Sequence, residues 1–324
     1  MTNDLKQLVE LINKRLSEQQ YGQKPQELYE PIRYIMSLGG KRLRPVLVLM
    51  AYRLFKDDYE TIIDQALAVE VFHNFTLMHD DIMDEAPLRR GKATVHEKWD
   101  PNTAILSGDV TLVKAYDMLL DAPGDLRAII KNFNDCALGV CEGQQFDMNF
   151  EQLPTVSEAE YIDMIRLKTA ILLGFGLKLG AMMAGANEKE AQQLYDFGVF
   201  VGIGFQLKDD LLDVYADQAK FGKQVGGDII SNKKTFLLLK ALELANPEQK
   251  AALENWITKT EFDHEEKVTA VRGIYDEIGI KALTLAKMDE YFQQGFNALN
   301  SLDIPQEKKQ PLTDLANYLI DRER

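Results

Sequence analysis

The chain has 324 residues, 46% of them apolar, enough for a large buried core, and carries a formal net charge of −14. That charge, with a pI near 4.9, argues against a nucleic-acid-binding surface. Two cysteines, Cys136 and Cys141, argue against a disulfide framework and point to a reducing compartment.

The N-terminus, Met-Thr-Asn-Asp-Leu, lacks a basic region followed by an apolar run, so no signal peptide is expected. Leu5, Leu8, Val9, Ile12 and Leu16 form a first helical stripe. In Gly39-Gly40-Lys41-Arg42-Leu43-Arg44-Pro45, Lys41 and Arg44 stand at the start of a predicted helix, where free N–H groups favour anions. It is not a Walker loop, because no Ser or Thr follows Lys41. Ile62, Ile63, Ala66, Leu67, Val69 and Phe72 form a second stripe running into Asp80-Asp81-Ile82-Met83-Asp84, and Pro87 ends that helix. Arg89-Arg90 follows. Further breaks fall at Asp121–Asp125, around Pro154, at Gly185–Asn187, over Gln218–Lys234, at Asn246–Pro247 and near Pro305. The most apolar stretch, Thr169 to Ala186, is interrupted by Lys178 and reads as a buried helix rather than a membrane span. A second acidic triplet, Asp209-Asp210-Leu211-Leu212-Asp213, follows Phe205 and Leu207. No run of alternating strands, solenoid period or low-complexity linker appears. The expectation is one all-α domain over residues 1–324, a single large bundle of ten or more helices.

Both acidic motifs read Asp-Asp-x-x-Asp. On a helix their first and last carboxylates lie one turn apart on one face, where like charges repel. An acidic triplet in an acidic chain is ordinarily a solvated face, but Leu77, Met78, Leu211, Leu212 and Val214 make these core-type helices. Oxygen ligands that leave positions for water and phosphate suit Mg²⁺, so two such motifs suggest a cage for several Mg²⁺ ions and a diphosphate. Arginine forks bind phosphate bidentately, and next to such carboxylates the basic pairs become candidate counter-charges. Other features are discounted. His79, beside Asp80, reads as a helix-face residue, since Mg²⁺ prefers oxygen. His96 and His264 belong to no pattern, and the two cysteines, five apart, read as packing residues. Gly174, Gly176 and Gly180 lack the spacing and strand of a dinucleotide fingerprint and suit close helix packing.

These motifs, in order, make the chain resemble the trans-isoprenyl diphosphate synthases, the family of farnesyl and geranylgeranyl diphosphate synthases. The resemblance runs over most of the length: Gly40-Lys41-Arg42-Leu43-Arg44-Pro45, His73, the first acidic motif, Arg89-Arg90-Gly91, Gly108-Asp109, Gly143-Gln144-Gln145-Phe146-Asp147, Lys168-Thr169, Phe205-Gln206, the second acidic motif, Phe221-Gly222-Lys223, and Gly227-Asp228 through Lys233 and Thr235. Asn232 stands where the family usually has Gly, and Leu237 or a neighbour replaces a common Pro.

The resemblance implies a helical bundle around a central prenyl-diphosphate cavity and a prenyltransferase activity. Asp80, Asp84 and Asp209 would hold three Mg²⁺ ions, with Asp81, Asp210 and Asp213 as ligands or supports. Arg89, Lys168, Lys223 and Lys233 would bind the allylic diphosphate, and Lys41, Arg44, His73 and Arg90 that of isopentenyl diphosphate. Thr169, Phe205 and Gln206 would line the reacting centre, with Gln144 and Asp147 supporting it. A homodimer formed through the helices from Asn102 to Leu120, and a cytoplasmic location, are also expected. A class I terpene cyclase is a weaker alternative, because its second metal motif typically mixes Asn or Asp, Ser or Thr, and Glu. A non-catalytic subunit that tunes product length should have lost site residues, and this chain keeps them. Phe75 lies five residues before Asp80 and Thr76 four before, with no insertion in the first motif. In the family that pattern resembles geranylgeranyl-type synthases, so a C20 product is favoured over C15, with Phe72, one turn deeper than Thr76, either a second floor or a core residue.

Overall fold

Apolar residues at helical spacing, separated by capping residues, make the chain almost wholly helical. The computed structural model describes residues 3–216 and 226–321. In order these are α1 (Asn3–Glu18), α2 (Gln26–Ser37), α3 (Leu43–Arg53), a 3₁₀ turn (Tyr59–Ile62), α4 (Ile63–Met83), strands β1 (Leu88–Arg89) and β2 (Lys92–Ala93), α5 (Val95–Lys98), α6 (Pro101–Leu119) and α7 (Leu126–Gln152). Then come α8 (Glu158–Ile165), a π-helical segment (Arg166–Ala170), α9 (Ile171–Ala184), α10 (Glu188–Tyr215), α11 (Gly227–Ile230), α12 (Phe236–Leu244), α13 (Pro247–Thr258), α14 (His264–Ile278), α15 (Ile280–Asn300) and α16 (Gln306–Ile320).

Backbone contacts divide the chain into two compact units. The first comprises the chain up to Cys136 with Leu172–Tyr195 and Leu302–Leu312. In it α1 buries Leu5, Leu8, Ile12 and Leu16, the stripe read from the sequence. α3 is buried continuously from Pro45 to Tyr52, so it is a core helix and not an amphipathic one. α9 crosses α3 so closely that a Cβ at Gly180 would collide with the Val48 carbonyl oxygen, which accounts for the small residues of α9. The second unit comprises Ala137–Ile171, Asp196–Ser301 and the chain from Thr313 on. Its helices start on clear caps. Ser157 and Glu160 form a capping box on α8, and Asn246 and Gln249 form another on α13 with Pro247 in its first turn. Gly279, at φ 85°, ends α14 and begins α15. Gly204 of α10 makes room for the Phe292 ring of α15, since a Cβ there would lie 2.8 Å from it.

The run Glu158–Ala184 is long and apolar enough to cross a membrane, but 83% of its most apolar window is buried inside the fold. It is a core helix, as its interrupting lysine suggested. Two details depart from the sequence reading. The Arg89-Arg90-Gly91 segment forms a hairpin, with Leu88 opposite Ala93 and Arg89 opposite Lys92. Its turn has φ 53° at Arg90 and 74° at Gly91, the primed geometry that suits two-residue hairpins. Cys136 is buried as a packing residue, whereas Cys141 is exposed and packs no core.

Candidate active site

In the first unit the α3 N-terminus carries the first basic group. Gly39 and Gly40 have φ 81° and 139°, and Arg42, at φ 50°, is the N-cap. The Arg42 side chain turns inward. It pairs with Glu70 of α4 at 2.6 Å, both side chains only 3% exposed, and donates to the Asn13 amide oxygen and the Met36 carbonyl. This buried pair fixes the loop, leaving Lys41 exposed before the helix and Arg44 half-buried in its first turn. The Arg44 Nε is buried and makes no hydrogen bond among the described residues. Arg90 donates to the Gly39 carbonyl, and its guanidinium lies where a Cβ on Gly40 would approach within 3.0 Å. His73 faces this cluster. Burial, and then the charges of Arg44, Arg90, Arg89 and Arg42, hold its imidazole well below the ordinary histidine range, so it is neutral. Burial likewise lowers Arg44, opposed by Glu70. A cluster of cations around a neutral imidazole suits an anion.

The first acidic motif closes α4, with Asp84 as its C-cap and the Asp84 N–H donating to the Asp80 carbonyl at 2.9 Å. Its three carboxylates are not equivalent. Asp81 is 2% exposed and accepts from Arg89 Nε at 2.8 Å on both oxygens and from Nη2 at 2.6 Å. Burial works against the Arg89 charge, but Asp81 and then Asp80 raise its pKa overall. Arg89 thus clamps the hairpin to α4, with its Nη2 4.0 Å from Asp80 Oδ2. Asp80 is half-buried and Asp84 exposed.

Beneath this motif runs an aromatic column. Phe75 meets His79 edge-on at 4.7 Å between ring centroids and Phe72 at 5.7 Å. Phe72 meets Phe133 at 5.1 Å, and Phe133 meets Tyr116 and Phe175 at 4.7 and 5.5 Å. The Thr76 hydroxyl donates to the His73 carbonyl at 2.8 Å. A Cβ at Gly108 would strike the His79 ring, and His79 Nε2 lies 3.2 Å from the Ile105 carbonyl, so His79 packs against α6.

In the second unit Lys168 and Thr169 sit in the π segment, a distortion common at functional sites. A Cβ at Gly143 would collide with the Lys168 backbone, so glycine lets α7 lie against that segment. Lys168 Nζ is 2.5 Å from Asp147. Burial raises the Asp147 carboxyl, but Lys233 and Lys168 lower it further, leaving it below the ordinary range. Gln144 is half-buried on α7, three residues before Asp147. Thr169 Oγ1 donates to Gln206 Oε1 at 3.2 Å, and Gln206 Nε2 donates to Asp210 at 3.0 Å. Phe205 is half-buried next to Gln206 on α10.

Asp210 is 4% exposed and also accepts from the Tyr161 hydroxyl. Asp213 Oδ2 accepts from the Asp228 N–H at 2.9 Å, and its carbonyl accepts from Gly226 N–H at 2.6 Å. Burial, aided by neighbouring carboxylates, pushes Asp210 and Asp228 above the ordinary carboxylate range despite the opposing charge of Lys233. Asp209 is half-buried on the same helix. Asn232 has φ 56°, which explains how it stands where glycine is usual: Asn tolerates the left-handed region. Lys223 lies outside the described residues.

The sequence reading missed Glu70, Tyr161, Asp228 and Phe133. Glu70 left one signal, a lone acid within an apolar stripe. Asp228 belongs to the Gly227-Asp228 pair, to which the sequence alone assigns no role.

Mg²⁺ suits this donor set. The motifs offer only carboxylate oxygens, and burial raises Asp210 and Asp228, as expected of acids whose charge a cation would offset. Among the described residues no group of three or more metal-ligating side chains forms a metal site by itself.

The polyprenyl synthetase family profile matches residues 25–275. Geranylgeranyl pyrophosphate synthase of Geoglobus acetivorans is 37% identical, over 98% of this chain and 98% of its own. A crystal structure of a geranylgeranyl pyrophosphate synthase superposes with a TM-score of 0.94 at 44% identity, covering 100% of both chains. Polyprenyl synthase from Caulobacter crescentus CB15, complexed with calcium and isoprenyl diphosphate, is similar at a TM-score of 0.86 and 27% identity, over 99% of this chain and 95% of that one. With its motifs seated on an all-helical fold of this kind, the chain belongs to the polyprenyl synthetase family.

Proposed function

We propose that this protein is a trans-prenyltransferase that condenses isopentenyl diphosphate head-to-tail with an allylic diphosphate, giving the C20 product geranylgeranyl diphosphate. The reading rests on one observation. The first unit carries two anion-handling devices, the carboxylates Asp80 and Asp84 and the separate cationic cluster of Arg44, His73 and Arg90. One suits a metal-bound diphosphate and the other a second diphosphate held directly. A class I cyclase ionises a single diphosphate and has no use for the second.

Asp80, Asp84 and Asp209 are the residues proposed to hold Mg²⁺, three ions in all, with Asp81, Asp210 and Asp213 supporting them. When bound, Mg²⁺ supplies charge that stabilises the leaving diphosphate. Lys168, Lys233, Arg89 and Lys223 bind that same group, and Asp147 holds Lys168 in place. The allylic C–O bond breaks, and its electron pair leaves with the diphosphate. Lys41, Arg44, His73 and Arg90 hold isopentenyl diphosphate so that its double bond attacks the allylic cation. A proton then leaves, taken by the released diphosphate. Phe205, Gln206 and Thr169 line the reacting centre, where water must be kept out.

Phe75 is the floor of the tail channel, with Thr76 beside it and Phe72 beneath. The exposed residues Leu106, Val113 and Leu120, seven apart along the helix region of α6, suit a homodimer interface. We assign the reaction to the cytoplasm, where its soluble diphosphate substrates are available.

Incubating the purified chain and Mg²⁺ with isopentenyl diphosphate and, separately, dimethylallyl, geranyl or farnesyl diphosphate tests this reading. Geranylgeranyl diphosphate should accumulate, and excess chelator should stop it. No consumption of isopentenyl diphosphate with any co-substrate would overturn it.

A further inference from the structure

Behind the α11 turn lies a lysine that takes no part in the reaction just described. Lys267, near the start of α14, is 1% exposed. Its ammonium donates to the Ile230 carbonyl at 3.1 Å and to Asn232 Oδ1 at 2.7 Å, and lies 4.2 Å from the Phe262 ring centroid. Burial pushes it below the ordinary lysine range. Among the described residues Lys267 has no carboxylate partner, and removing such a lysine from water is costly, so what it holds matters.

Ile230 is the last residue of α11, and Asn232 follows two residues later, after Ser231. Asn232 Nδ2 also donates to the Ile257 carbonyl of α13 at 3.1 Å. These contacts therefore tie the turn to α13 and α14. On its other side the same turn carries Asp228, whose N–H is held by Asp213, and Lys233, whose N–H donates to the Asp228 carbonyl at 2.9 Å. Asp228, Asn232, Lys233 and Lys267 also line one cavity of about 10 Å³ together with Trp256 and Tyr275. That is roughly the space of a single water, so the cavity is no prenyl channel and belongs to the support of the turn.

We propose that Lys267 and Asn232 form a strut that positions Lys233 and Asp228 for the leaving diphosphate. Lys267 is a positioning residue: its ammonium caps the end of α11 and fixes Asn232, and that fixes the backbone from which Lys233 extends. The inference rests on the proposed role of Lys233 in gripping the allylic diphosphate.

The test is a double-mutant cycle on the full-length protein with Lys267→Met and Asn232→Gly. Glycine accepts the left-handed backbone at 232, so that variant keeps the fold while losing the acceptor. Each single variant should lower kcat about tenfold, and the double variant should fall little further, because one coupled contact is being removed. KM for isopentenyl diphosphate and product length should stay at wild-type values, and Lys267→Arg should recover most of the rate. Should Lys267→Met not fold, Asn232→Gly alone carries the test through the same split between kcat and KM. Wild-type kcat in Asn232→Gly, fully additive losses, or equal rises in KM for both substrates would overturn the strut. Lys233→Ala separates the two readings. If it turns over normally, the assigned role of Lys233 fails; if it is inactive while the strut variants behave as wild type, only the strut fails.

Discussion

Asp81 accepts three hydrogen bonds from the Arg89 guanidinium, and this pair singles out one carboxylate of its triplet. The second motif repeats the arrangement with other partners. Asp210 is buried and held by Tyr161 and Gln206. In both motifs the middle acid is the buried one, at 2% and 4% exposure. The middle acids build the motif, and the flanking ones, half-buried or exposed, are those proposed to meet a cation.

This division predicts different costs within one triplet. Asp81→Asn should cost about 1–3 kcal/mol of stability, because a charge-paired, buried acceptor is weakened. Asp80→Ala and Asp209→Ala should leave stability nearly unchanged but lower kcat by about 100-fold or more. Urea unfolding beside steady-state kinetics reads both. Near wild-type turnover of Asp80→Ala and Asp209→Ala under saturating Mg²⁺ would contradict the metal-holding role.

The two proposed diphosphate sites predict two kinetic signatures. Arg44→Ala should raise KM for isopentenyl diphosphate with a smaller effect on the allylic substrate. Lys168→Ala should act on the allylic substrate or on kcat. Varying each substrate in turn checks this, and equal KM increases for both substrates in both variants would argue against separate sites.

The aromatic column predicts a stepwise change in product. Phe75→Ala should extend the product by at least one C5 unit, until the tail meets Phe72, which is braced by Phe133 at 5.1 Å. Phe75→Ala with Phe72→Ala should extend it again. A buried Phe→Ala costs about 3–5 kcal/mol, so melting temperature is measured with product length. A folded Phe75→Ala enzyme with unchanged products would put the floor elsewhere.

The raised carboxyls of Asp228 and Asp210 predict how stability depends on pH without metal. A carboxyl raised in the folded state holds its proton after the unfolded chain has lost its own. The unfolded state then binds fewer protons, so stability falls as pH rises from the ordinary carboxylate range through the raised one. Asp228→Asn should flatten that fall, and Mg²⁺ with inorganic diphosphate should oppose it in the wild type. Thermal melts across pH 4 to 8, about the span concerned, would show it; an identical profile in Asp228→Asn would refute the assignment.

Much of this was legible in the sequence, for reasons visible in particular residues. Spacing alone marks both acidic motifs, because four residues make about one helical turn. Caps such as Ser157 and Asn246 act within their own segments and can be read locally. What could not be read is which acid of each triplet is pinned. Tyr161 reaches Asp210 across 49 residues, and Arg89 reaches Asp81 through a hairpin whose turn depends on left-handed backbone at Arg90. The inward turn of Arg42 was hidden in the same way. The sequence reading gave Arg42 no role, and its partner Glu70 stands 28 residues away.

The π segment at Arg166–Ala170 behaves like a vernier. One extra residue in a helical turn offsets everything downstream by about 100°. Here that offset lets consecutive side chains serve different neighbours: Lys168 meets Asp147 while Thr169 meets Gln206. Deleting a single residue from the segment would leave an apolar helix of almost the same composition. It would also rotate the segment's side chains out of phase, so that Lys168 could no longer meet Asp147 while Thr169 meets Gln206.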